Sequence, residues 1–160
     1  MSYSISNCES EGNRIGRNLL HVLLIAVMAS TLAACGASGK AFVASTPAPD
    51  HGLIYIYRQS HLQGGGASFY VSANGVRIGT LKNGGYINYE ARPGNVTFAI
   101  ALRTLGPSLI TIPEKELITV PVEPGEVYYV RFKMSTQVME LVDESTGLKE
   151  THDLKSCEEE

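Results

Sequence analysis

Gly52-Leu-Ile-Tyr-Ile-Tyr-Arg58 is the stretch that decides the fold. Leu53, Tyr55 and Tyr57 oppose Ile54 and Ile56, so the segment is apolar on both faces of an extended chain, as a central strand is. From here onward the apolar pattern has period two, and Gly, Pro and Asn recur at roughly 8 to 12 residue intervals, the pattern of an all-β domain. No later stretch reads as a long amphipathic helix.

Phe69, Val71 and Ala73 alternate with Ser68, Tyr70 and Ser72. Asn74-Gly75 then leads into Val76 and Ile78, and Asn-Gly between alternating runs predicts a two-residue hairpin because both residues tolerate positive φ. Asn83-Gly84-Gly85 marks a turn before a short strand over Tyr86 to Glu90, which Arg92-Pro93-Gly94 closes. Val96, Phe98, Ile100 and Leu102 form one apolar face. Ile118, Val120 and Val122 form another, but Pro121 between them lacks the ladder N–H and places that strand at a sheet edge. Pro124-Gly125 introduces Val127 to Lys133, and Val138 to Val142 is the last strand. About seven or eight short strands in about 100 residues predict a single antiparallel β-sandwich, immunoglobulin-like or transthyretin-like, with one core.

The chain ahead of this domain has a different character. Residues 1–18 are polar and include Arg14 and Arg17, and Leu19 to Ala34 is a nearly unbroken apolar run. That is the grammar of an export signal, and the run is shorter than the roughly 20 apolar residues a spanning helix needs. The separated arginines favour the general secretory route over the twin-arginine one. The long polar region is compatible with a start codon downstream of Met1. At the end of the run, Leu32-Ala33-Ala34-Cys35 resembles the lipobox of bacterial lipoproteins. The resemblance implies cleavage between Ala34 and Cys35, a diacylglycerol on the Cys35 sulfur, and usually a further acyl chain such as palmitate on the new amino terminus. Several acyl chains give essentially irreversible attachment, since each buried methylene contributes about 0.8 kcal/mol. Gly36 stands where inner-membrane lipoproteins often have aspartate, which favours the outer membrane, at its periplasmic face or the cell surface. Residues 35–50, rich in Gly, Ala, Ser, Thr and Pro, read as a flexible tether. The expected organisation is a signal peptide over 1–34, lipidated cysteine and linker over 35–50, sandwich over 51–145, and a polar tail over 146–160.

The domain segments Ile54-Tyr-Ile-Tyr-Arg58, Gly64-Gly-Gly66, Tyr70-Val-Ser-Ala-Asn-Gly75, Gly79 to Tyr86, Arg92-Pro-Gly94 and Glu123-Pro-Gly with Tyr128-Tyr-Val-Arg131 resemble the domain-of-unknown-function 2846 family, over roughly His51 to Asp143. Gln59 departs from the proline expected there. The resemblance implies an envelope protein of this fold and brings no catalytic residues. Asn74 to Gly79 through Arg92 to Phe98 is also similar, more loosely, to the short β modules called PEGA domains.

Composition excludes one class of function. The chain has 13 basic and 16 acidic residues, net charge −3, and removing residues 1–34 leaves that value unchanged. Without a basic patch there is no footprint for nucleic-acid binding. A phosphate loop is absent, because Gly64-Gly-Gly66 lacks the Lys and Ser or Thr that would follow. His61, with Ser60 and Ser68 nearby, would need an orienting carboxylate to serve a hydrolase, the alternative reading for this Gly-rich region. His51, His61, His152 and Cys157 have no metal-ligand spacing, so neither a metal nor a cofactor other than the Cys35 lipid is expected. Cys157 reads as an unpaired thiol in the tail, open to intermolecular disulfides. The seven domain tyrosines include Tyr128 and Tyr129 on opposite faces, one of which is a candidate for contact with a glycan or an envelope protein. The expected role is a non-catalytic binding or structural module held to the membrane by its lipid.

Overall fold

A computed structural model describes His21 and residues 36–103 and 115–157. The chain divides into two compact units, Met1–Ala34 and Cys35–Glu160. The predicted cleavage pair Ala34 and Cys35 lies outside the described residues.

Among its described residues the second unit is a two-sheet sandwich of nine strands: β1 (Gly52–Arg58), β2 (Phe69–Ala73), β3 (Val76–Leu81), β4 (Gly85–Ala91), β5 (Gly94–Leu102), β6 (Lys115–Val122), β7 (Val127–Lys133), β8 (Val138–Val142) and β9 (Lys155–Ser156), with one helix, α1 (Glu144–Thr151). One sheet has the order β8-β7-β1-β4-β9, the other β3-β2-β5-β6. β1 is therefore central, and β6, with Pro121, is an edge. Asn74 (φ 49°) and Gly75 (φ 78°) make the expected hairpin turn. The Asn74 side chain also accepts from Thr97 N–H at 2.9 Å, tying that turn to β5.

The all-β sandwich stands, but its pairing is mixed rather than antiparallel throughout. β1 runs parallel to β7, with Tyr55 beside Tyr129, and β9 runs parallel to β4. Alternation reports which face a side chain takes and is blind to strand direction, so no pattern in the sequence could show this.

Between the sheets lies an aliphatic core that includes Ile54, Ile56, Val71, Phe98, Val120 and Val130, all fully buried. The opposite face of β1 is buried as completely. Leu53, Tyr55 and Tyr57 join Tyr86, Tyr129 and Leu154 in a second cluster, with Phe42 packed on it. Tyr55 and Tyr129 stack with ring centroids 5.4 Å apart, and Phe42 stands edge-on to Tyr55 at 5.0 Å, both preferred arrangements for aromatic rings.

Two segments expected to be solvated cover this outer face. The supposed tether is laid along the sheet edge: Gly36 bridges Asn83, Ala41 pairs with Lys155, and Phe42 N–H donates to Leu154 C=O at 3.0 Å. The supposed polar tail forms α1 and β9. Asp143 caps α1, its carboxylate accepting from Thr146 N–H at 3.0 Å and from the Ser145 and Thr146 hydroxyls, which hold it well below the usual carboxylate range. The helix docks through Gly147, whose Cα lies so close to Tyr129 that an added Cβ would collide with the ring. Thr151 and Leu154 are buried, as is Cys157.

Candidate functional site

Strand directions gather several loops at one end of the sandwich. β1 and β7 finish there, β2 and β6 start there, and the chain enters β4 and β9 there. The Asn74-Gly75 hairpin and the turns around Pro93 and Pro124 form the opposite end.

Arg58 closes β1 at this end and is 1% exposed. Its guanidinium donates to Ala67 C=O at 2.7 Å and to Gly64 C=O at 2.8 Å, and stands 5.5 Å above the Phe69 ring. Its Nε has no partner, and among the described residues no carboxylate pairs with it. Burial lowers its pKa, yet an arginine keeps its proton in a protein, so the charge is carried by backbone carbonyls. The Gly-rich loop is thus clamped from beneath. On its other side, Asn83 accepts from His61 N–H at 3.0 Å and donates back to His61 C=O at 3.1 Å. The Asn83 carbonyl also accepts from Ala37 N–H at 3.0 Å.

Beside the clamped loop, a cavity of about 600 Å³ opens between the sheets. Phe69, Ile100, Leu102, Leu117, Phe132 and Met134 give it an apolar wall, with Lys115 and Gln137 as its polar groups. A second hollow of similar size is polar and holds His61, Gln59, Arg131 and Lys133. Its cations are already neutralised: Arg131 pairs with Glu140 and Glu150, and Lys133 with Glu140 at 2.8 Å. Lys133 and Arg131 hold the Glu140 carboxyl below its ordinary range. Glu150 is also bound by the Tyr57 hydroxyl at 2.5 Å, and burial together with that carboxylate pushes the phenol well up. The network fastens α1 to the sheet and leaves no spare cation for an anionic ligand.

His61 is exposed, and among the described residues its ring makes no hydrogen bond, so Ser60 and Ser68 are not joined to it in a triad. His51 and His152 lie apart from it, bonded to Pro49 C=O and Asp153. Of the two candidate tyrosines, Tyr129 is buried under α1 and cannot present a binding face, which corrects that expectation. Tyr128 is half-buried and its hydroxyl accepts from Glu123 N–H. Tyr70 lies under Arg77 at 3.5 Å. Cys157 is likewise no solvated thiol: it is buried, accepts from Lys82 N–H at 3.3 Å, and burial pushes its pKa up.

A family model described as Protein of unknown function (DUF2846) matches residues 48–145. The chain belongs to this family. No curated protein and no solved structure matches the chain. The DUF2846 match spans β1 to β8 and stops at Ser145, just inside α1. Arg58, the Gly-rich loop, Asn83 and the cavity walls therefore belong to the DUF2846 domain. Phe42, β9 and most of α1 lie outside the match and cover the outer face. Reading the residues alone missed Arg58 and Asn83. The available signal was a charged residue ending a strand apolar on both faces, directly before a glycine run.

Proposed function

We propose that this chain is a lipid-anchored protein of the bacterial envelope whose sandwich is a non-catalytic module that binds an apolar or amphiphilic ligand in the inter-sheet cavity. The apolar cavity carries the ligand reading, because small-molecule sites are concave, mostly apolar and furnished with a few orienting polar groups, here Lys115 and Gln137. The anchor is supported by Leu32-Ala33-Ala34-Cys35 and by pairing of the chain into the sheet edge from Gly36 onward. Gly36 after the cysteine supports the outer over the inner membrane.

Titration with the fluorescent probe N-phenyl-1-naphthylamine tests the cavity. Saturable binding is expected, and Leu117→Trp, which fills the wall, should weaken it by roughly tenfold, about 1.4 kcal/mol. Binding unaffected by that substitution would rule the cavity out. Labelling of cells with an alkyne palmitate analogue tests the anchor: label on the wild-type chain and none on Cys35→Ser is expected.

A further inference from the structure

We infer that the loop end of the sandwich is a bilayer-seating surface: the domain rests against lipid with Leu62 at the acyl boundary, and does not swing on a tether. The inference rests on the reading of Cys35 as lipidated.

Sixteen freely jointed residues between anchor and domain would permit a spacing of roughly 20 Å. The structure removes that freedom. Gly36 bridges Asn83, and Ala37 N–H donates to its carbonyl. Only one peptide unit, about 3.8 Å between Cα atoms, separates Cys35 from a residue fixed on the sheet edge. The contact is continued by Gly39 N–H to Ser156 C=O at 3.1 Å and Ser156 N–H to Lys40 C=O at 2.8 Å. It is permitted by Gly85, where an added Cβ would come within 2.7 Å of Ala37 Cβ. An acyl-bearing Cys35 sits at the membrane surface, so Asn83 sits there too.

Asn83 is also the residue that grips His61 from both sides, and the next residue, Leu62, is fully exposed. A solitary exposed leucine is ordinary on a protein surface. This one is carried on a loop whose backbone shares its fastening with the first residues after the anchor. The apolar cavity lies at the same end, lined by Gly64 of that loop, so a ligand for it is within reach of the bilayer's own acyl chains. The contact is an apolar one, carried by Leu62.

The chain has no tryptophan, so Leu62→Trp and Val76→Trp each create a single reporter. Val76 is exposed and opens β3 at the opposite end, roughly 20 Å away along the strand. Full chain, processed in its host membrane, is reconstituted into phosphatidylethanolamine and phosphatidylglycerol vesicles with or without brominated acyl chains. The expected result is blue-shifted, bromolipid-quenched emission from Leu62→Trp, unchanged by high salt, and neither effect from Val76→Trp. Adding Ala37→Pro, which deletes the N–H given to Asn83, should reduce the quenching while the protein still floats with the vesicles. Equal or absent quenching of the two reporters on floating protein overturns the seat and leaves the anchor intact. Wild-type protein that fails to float, the behaviour expected of the Cys35→Ser form, overturns the anchor and the seat with it.

Discussion

The two sheets solve burial differently. The four-stranded sheet has one dry face, with Val96, Phe98 and Ile100 turned to the core and Thr97 and Thr119 turned outward, their hydroxyls 2.9 Å apart in an exposed pair. The five-stranded sheet is dry on both faces at β1, aliphatic toward the partner sheet and tyrosine-rich toward α1 and the N-terminal segment. The tyrosine face is a second core, supplied mostly by strands within the family match and covered by segments that lie largely outside it.

Truncation of Tyr55 is the most direct way to break that comparison. Tyr55→Ala removes a ring packed against Phe42, Tyr86 and Tyr129 and should cost about 3–5 kcal/mol in urea unfolding, as large aromatic deletions in cores do. Tyr70→Ala, on the open face of the other sheet, should cost about 1 kcal/mol or less. Equal losses would mean that the outer cluster is surface and not core.

Gly147→Ala sharpens the role of α1. Its Cβ would meet the Tyr129 ring, so overpacking should cost about 1–3 kcal/mol and raise hydrogen exchange in α1 ahead of the strands. A neutral effect would show the helix free to move off the sheet.

Alkaline pH should act on the five-stranded sheet. Burial raises the Cys157 thiol above its ordinary 9.0, against the opposing Lys82 N–H bond, and burial pushes Tyr129 up to about 12 from 10.0. Groups whose folded pKa is raised stabilise fully below the unfolded value and lose that contribution as pH climbs toward the folded one. The melting temperature should therefore fall from about pH 9 upward, and Cys157→Ala should flatten the first part of the decline. The smallest effect is expected on the open face: Thr97→Val should stay within about 0.5 kcal/mol of wild type by urea unfolding.

How much of this was legible in the residues follows from the same contrast. Alternation in Val96 to Leu102, the doubly apolar Gly52–Arg58 stretch, Pro121 and Asn74-Gly75 each announced a strand, a central position, an edge and a turn, because each is a local rule. The cover over the tyrosines announced nothing. Its hydrophobicity resides on the sheet, while the covering pieces contribute one Phe42 in a small-residue stretch and a two-turn helix that packs through Gly147 and Thr151. Of the candidate site, the Gly-rich loop and His61 were visible, but not what holds them. A buried Arg58 resembles any strand-end arginine until its carbonyl partners are placed, and a cavity between sheets has no sequence pattern.

Pairing of residues 39–42 with residues 154–156 also sets an order of events. Residues 39–42 find their partner only once residues 154–156 have been made, and β1 likewise waits for its parallel neighbour β7. Long-range closures of this kind slow folding, because loop entropy is lost before contacts repay it. Loss of residues 154–156 would strip Leu154 from the tyrosine face and leave residues 39–42 without their pairing. Making residues 154–156 is thus also the step that latches the two ends of the domain together.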